Sequence, residues 1–423
     1  MAGAPTAARP GRAGRALRLA VIGVVLTLIA GGIGWAAAGG IFRTDAMVTP
    51  TGPHGSGGPD ATGDGSADGP TAKPEPTPKP PLGGTELYGY LPYWEMNDTV
   101  AAYLDKVPVD TLALFSVSAG KEGGIKHGEV GYRRITGPIG QRLIADAHAR
   151  RQRVELVFTS FGFDVNDRLF GAGFEAEVRR DRAAGELLAL AAQLGVDGIN
   201  VDVEAINGDD NDGYATFIVA LREGLAAAGP NRSLSVATMA GPSGVDLARA
   251  AIAGGADRVF LMGYDYHWAG SSAGATAPYH NRDGAVDLGW SIGAYVDAGV
   301  PRDRILLGLP LFGISWPVAG PGRAAEVTGK GRDWIPSAHA DELLAPGFST
   351  AYDQYELADY FVVQTASGWR ATYYDSPRSL RPKLELARSE GLAGAGFWAI
   401  GYERGLPGYL KLMTDFGAGK IGS

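Results

Sequence analysis

From Glu86 onward the chain alternates short apolar, β-rich segments with stretches whose apolar residues recur at helical spacing. The β-rich segments fall at residues 87–92, 111–118, 154–160, 198–204, 234–239, 258–264, 305–311 and 395–400. Between the third and fourth, Leu187, Leu190, Ala191 and Leu194 lie on one face of a helix. Strand and helix alternating through eight units is the pattern of βα repeats around a parallel sheet. It predicts an α/β fold, a closed (β/α)8 TIM barrel over residues 86–417, in preference to an open doubly wound sheet. One interval breaks the rhythm. Residues 313–375, between the seventh and eighth units, contain β-patterned runs at 352–357, 360–365 and 369–374, and predict a small strand-containing insertion forming one wall of a cleft.

The front of the chain follows other rules. Residues 1–18 carry Arg9, Arg12, Arg15 and Arg18 without an acidic residue, and residues 19–42 form an uncharged, mostly apolar run closed by Arg43. The run is long enough to span a bilayer as a helix, and the basic flank places residues 1–18 in the cytoplasm and everything after Arg43 outside. A cleaved signal peptide, with Ala36, Ala37 and Ala38 near a cut site, is the other reading, but its apolar core is ordinarily only about 7–15 residues. The expectation is therefore a single-pass membrane anchor, or secretion if the segment is cut. Residues 43–85 are rich in Gly, Pro, Ser, Thr and Asp, and end in Pro74, Pro76, Pro78, Pro80 and Pro81. Such a segment buries too little apolar surface to fold and reads as a disordered linker, stiffening where proline dominates.

Charge and composition narrow the function. The chain has a net charge of −8, and five arginines without an acid in residues 1–43 leave the remainder at −13. Binding nucleic acid requires clustered positive charge, so that class of partner is excluded. Cysteine is absent, which removes disulfide, zinc-thiolate and cysteine-nucleophile chemistry. Asp209, Asp210 and Asp212 lack the ligand spacing of a calcium loop and suit a helix N-terminus instead. His267 and His280 are too isolated for a metal site, and no cofactor is implied.

The densest chemistry lies in Asp197-Gly-Ile-Asn-Val-Asp-Val-Glu204. On a strand, Asn200, Asp202 and Glu204 share one face while Ile199, Val201 and Val203 take the other. Three polar side chains in a row on a buried parallel strand are costly unless they serve a purpose, and they approach the strand's C-terminal end, where barrel active sites lie. A structural polar network inside the barrel is the alternative reading of that spacing.

The segment resembles the DGxDxDxE signature of glycoside hydrolase family 18, the chitinase-like (β/α)8 barrels. Tyr88-Gly-Tyr-Leu-Pro-Tyr-Trp94, Met262-Gly-Tyr-Asp-Tyr-His-Trp268, Gly308-Leu-Pro-Leu-Phe-Gly313 and Gly396-Phe-Trp-Ala-Ile-Gly401 match the family in order. The resemblance implies hydrolysis of a glycan containing β-1,4-linked N-acetylglucosamine, with Glu204 as general acid. Asp202 and Tyr264 would hold the substrate's 2-acetamido group, whose oxygen acts as nucleophile in a retaining reaction. Trp398 would form the floor beneath the cleaved sugar, and Asn200, Asp265, Tyr90 and Met262 would line the substrate site. The chain departs from the family pattern at Asn200, where an Asp is usual, and at Val203, where Trp is common. The DGxNxDxE form, with Tyr374-Asp375-Ser376, is most similar to the bacterial subgroup of spore and cell-wall lysins, which makes peptidoglycan as well as chitin a substrate to expect. A catalytically silent glycan-binding protein on the same barrel, or a cell-envelope scaffold, is the alternative.

Overall fold

Eight parallel strands close on themselves in the computed structural model, which describes residues 86–421. In chain order the strands are β1 (Glu86–Pro92), β2 (Thr111–Ser118), β3 (Arg153–Phe161), β4 (Gly198–Glu204), β5 (Ser233–Met239), β6 (Arg258–Met262), β7 (Ile305–Pro310), β8 (Gly313–Val318), β9 (Arg332–Trp334), β10 (Ala351–Asp353), β11 (Ala358–Thr365), β12 (Gly368–Tyr374) and β13 (Gly394–Trp398). The barrel order is β1-β13-β7-β6-β5-β4-β3-β2, and helices connect successive barrel strands. Strands with interior side chains on one face and helices on the other are buried throughout, which is why β2 and β4 read as almost continuous runs of buried residues. The helix Phe174–Leu194 buries Leu187, Leu190 and Ala191 and ends at Gly195, whose φ of 68° only glycine adopts at no cost.

Large rings fill the barrel where neighbouring strands give them room. The Phe260 ring lies 4.9 Å from Tyr90 and 5.6 Å from Tyr88, centroid to centroid. It fits because its neighbours on β7 and β13 are Gly308 and Gly396, where a Cβ would stand 2.3 and 2.5 Å from ring carbons. The register then sets the polar face of β4 against its neighbours: Asn200 lies beside Val157 and Ser235, Asp202 beside Thr159 and Ala237, and Glu204 beside Phe161.

The insertion is a five-stranded antiparallel sheet of order β10-β11-β12-β8-β9. It is larger than its sequence suggests. β8 and β9 escape the period-2 reading because β9 is only three residues long and β8 contains Pro317, which falls beyond the Gly313–Ser315 stretch that β9 pairs with. The run at 352–357 is a strand only as far as Asp353. There the Asp353 carboxylate accepts the backbone N–H groups of Tyr355 (3.0 Å) and Glu356 (3.1 Å), and this local bonding replaces the ladder with a turn.

Three barrel strands are also shorter than their apolar runs, β7 by one residue, ending at Pro310. β6 stops at Met262 because the Gly263 N–H turns to the carbonyls of Leu261 (2.8 Å) and Gly308 (3.0 Å), so Tyr264 and Asp265 stand on the loop above it. β13 ends at Trp398. Asp209 and Asp210 form a 3-10 turn leading into the helix Asn211–Ala228, which contains Asp212. The apolar run at residues 19–42, its basic flank and the 43–85 linker lie outside the described residues. Among the described residues no helix is long and apolar enough to cross a membrane.

Candidate active site

Asn200, Asp202 and Glu204 are all buried on the inner face of β4, with Glu204 at the strand's C-terminal end. The Asn200 amide donates from Nδ2 to Ser235 Oγ (2.7 Å) and accepts at Oδ1 from the Tyr90 hydroxyl (3.1 Å). An ionised carboxylate could accept but not donate, so the amide performs here a pair of roles that an ionised Asp could not. Asp202 differs. Its Oδ1 is buried without a hydrogen-bond partner, an acceptor left open. The backbone at Glu204 is tied down from β3's side: its carbonyl accepts from Asn166 Nδ2 (2.7 Å) and the Gly162 N–H (3.2 Å). Asn166 also donates to the Ala205 carbonyl (3.1 Å), where φ is +57°, and accepts from Ser160 Oγ (2.6 Å).

Burial governs the charges. It pushes the Glu204 carboxyl up to about 7, and it raises Asp202 well above the usual carboxylate range, with the charge of Glu204 adding to the effect. A buried pair of this kind retains a proton at neutral pH. Tyr264 is buried on the loop beyond β6; desolvation raises its hydroxyl well above 10, reinforced by the charges of Tyr90, Asp202, Asp265 and Glu204. It is therefore a neutral donor surrounded by the two β4 acids and Asp265. Asp265 is half-buried at a φ of +62° and receives the Thr276 hydroxyl on Oδ1 (3.3 Å). Burial raises it to about 8, with Asp333 and Glu204 contributing. Asp333 belongs to β9, so the insertion contributes a charge to the field at the barrel mouth.

Rings line that mouth. Trp398 ends β13, half-buried, with Phe115 edge-on at 4.7 Å, Tyr90 at 5.5 Å and Trp94 at 6.4 Å. Trp94 Nε1 donates to the Tyr402 hydroxyl (2.9 Å), fixing a second indole beside the first. Met262 is buried at the end of β6. His267 is occupied by the Ser272 carbonyl (3.1 Å) and Asn281 Oδ1 (3.2 Å), and His280 lies near Asp287, so the two histidines do not converge. Among the described residues no group of three or more His, Asp or Glu side chains could hold a metal.

Participants that were not singled out in the sequence include Ser235, Glu155, Asn166, Phe115 and Asp333. Glu155, a lone acid in an apolar β3, carried a signal, because a charge inside a buried strand demands partners. Asn166, Phe115 and Asp333 carried none.

Residues 89–403 match the sequence pattern of Glycosyl hydrolases family 18. The chain belongs to that family. Among curated family relatives, a class V chitinase of Lotus japonicus is 32% identical over 152 residues, 34% of this chain and 37% of its own. A putative sporulation-specific glycosylase of Bacillus subtilis is 24% identical over 253 residues, 55% of this chain and 56% of its own. The chain thus spans about half the length of the curated relatives it matches, or less. Of solved family-like barrels, the Bacillus cereus spore cortex-lytic enzyme SleL superposes with a TM-score of 0.62 at 18% identity, over 78% of this chain and 74% of its own. A family 18 N-acetylglucosaminidase of Paenibacillus barengoltzii superposes with a TM-score of 0.62 at 19% identity, over 78% of this chain and 99% of its own. At such identities these structures share the fold.

Proposed function

We propose that the chain is a retaining glycoside hydrolase that cleaves β-1,4-linked N-acetylglucosamine in peptidoglycan or a chitin-like glycan. The observation that carries this reading is the open, buried acceptor Asp202 Oδ1 two residues before Glu204 on one strand face. An acetamido N–H is the substrate group such an acceptor fits, and family membership supports the same ligand. Glu204, protonated near neutral pH, gives its proton to the glycosidic oxygen as the C1–O bond breaks. The acetamido oxygen, held by the Tyr264 hydroxyl, closes on C1 and forms a cyclic oxazolinium ion. Glu204, now a carboxylate, takes a proton from the water that reopens the ring, and the second inversion restores the β configuration. The reaction requires no second enzymic carboxylate as nucleophile and no cofactor. Trp398 supplies the apolar floor with Tyr90 against it, Asp265 and Met262 line the site, and Asn200 supports it from below through Tyr90. The basic flank and apolar run of residues 1–42 would hold this barrel on the outer side of a membrane, facing wall glycan.

The test is hydrolysis of an N-acetylglucosamine hexamer and of muropeptide-bearing glycan strands by the full chain, with the fresh reducing end followed by proton NMR. The β anomer is expected, and an oligomer of unacetylated glucosamine should not be cut. Fresh α anomer, turnover of the unacetylated oligomer, or no cleavage of either acetylated glycan would refute the reading.

A further inference from the structure

Below the reactive pair, the barrel holds a carboxylate to which the mechanism gives no task. Glu155 on β3 is 3% exposed and has no ion-pair partner among the described residues. Three hydroxyls take the place of a cation: Tyr88 donates to Oε2 (2.7 Å), Ser235 to the same oxygen (2.5 Å), and Ser233 to Oε1 (2.6 Å). Burial outweighs the three hydroxyls, which favour the charge, and leaves this carboxyl raised to about 7; the donors on both of its oxygens are the geometry that suits the ionised form. The reach from β3 to β5 passes over β4 at Gly198, where a Cβ would stand 2.1 Å from Ser233 Oγ. The absence of a side chain there keeps the path open.

We propose that Glu155 is a positioning residue for the reaction: acting through Ser235, it fixes which way the Asn200 amide faces beneath Asp202. Its role in catalysis rests on the function proposed above. An ionised carboxylate only accepts, and a serine has one proton. That proton is committed to Glu155, so Ser235 Oγ has only lone pairs left for Asn200, and it meets Nδ2 at 2.7 Å. The carbonyl end of the amide therefore faces Tyr90, whose proton it receives at 3.1 Å. Tyr90 is 1% exposed, and its ring lies 5.5 Å from Trp398, the floor of the cleft. A chain of committed protons thus runs from Glu155 through Ser235 and Asn200 to the ring that abuts the sugar platform. Turning the amide would bring an N–H towards the Tyr90 hydroxyl and leave that buried proton without its acceptor.

The polarity of this chain can be reversed by substitution. Glu155→Met removes the acceptor of the Ser235 proton, which is then free to turn towards Asn200 and meet the amide N–H. Asn200→Asp leaves one serine proton between two carboxylates. The double variant is consistent again: Ser235 donates to the carboxylate introduced on β4, Tyr90 donates to that same carboxylate, and Tyr88 turns to Ser235 Oγ, 3.4 Å away.

In the full chain each single variant should lower kcat about tenfold or more with KM changed less than about threefold, while the double variant recovers most of the loss. Urea unfolding of the same four proteins should show the same favourable coupling. Single variants with parental kcat, or a double variant whose loss is the product of the single losses, would overturn the proposal. Coupling in stability without coupling in kcat would also overturn it, leaving Glu155 a structural plug. If the parent cleaves no glycan, the proposed function fails, and the unfolding cycle still decides whether the network has this polarity. Should Glu155→Met not fold, Ser235→Ala interrupts the same chain; it should lower kcat at unchanged KM, and parental kcat in that variant would overturn the proposal.

Discussion

Raising the pH above neutrality should switch the reaction off by removing one proton. Burial lifts the Glu204 carboxyl to about 7 from an ordinary value of 4.5. The acid form is the active one, so the sign is fixed: kcat/KM is highest below about 7 and falls about tenfold for each further pH unit. From pH 6 to pH 9 the protonated fraction drops from about nine-tenths to about one-hundredth, a loss of roughly two decades. Glu204→Gln cannot donate the proton at any pH. It should fall about 10²–10⁴-fold below the parent at pH 6, about 3–5 kcal/mol in the barrier, and lose the alkaline limb. The assay is initial-rate hydrolysis of a fluorogenic N-acetylglucosamine trimer from pH 5 to 9.5, with near-ultraviolet circular dichroism at each pH to establish that the fold persists. A parental profile flat to pH 9, or a glutamine variant that turns over like the parent, would refute the assignment of Glu204 as the acid.

Three further outcomes follow from the same geometry. Tyr264→Phe removes a buried neutral donor while preserving the ring packed 6.0 Å from Phe312; kcat should fall about 10²-fold with the melting temperature nearly unchanged, measured by kinetics and calorimetry. Lys383→Met strands the Asp375 carboxylate, since the two form an ion pair with side chains 0% and 1% exposed; urea unfolding should show a loss of about 3–5 kcal/mol. A fragment of residues 86–421 should be soluble, and its thermal transition should coincide with that of the full chain in detergent, because β1 begins at Glu86 and the barrel closes without the preceding segment.

Much of the barrel was legible because its signals are local. Each strand buries both faces and each helix buries one, so the two periods mark the units wherever the chain obeys them. They fail where local bonding competes, as at Asp353, whose carboxylate turns a strand-like run into a corner. They also fail where pairing comes from afar. β8 is held by β12, with Ser315 opposite Thr372, and nothing near Ser315 announces that partner.

That Asn200, Asp202 and Glu204 share a face follows from their spacing alone, because alternation along a strand is a property of the backbone. The order of the units is equally readable from the residues. What those side chains meet depends instead on the closed fold. Ser235 reaches Glu155 across 80 positions of chain, Tyr90 reaches Asn200 across 110, and Asp333 comes to the barrel mouth on an insertion strand. The raised pKa values of Asp202 and Glu204 have the same origin. Desolvation is a property of the closed barrel, and no residue carries it in its own neighbourhood of the chain.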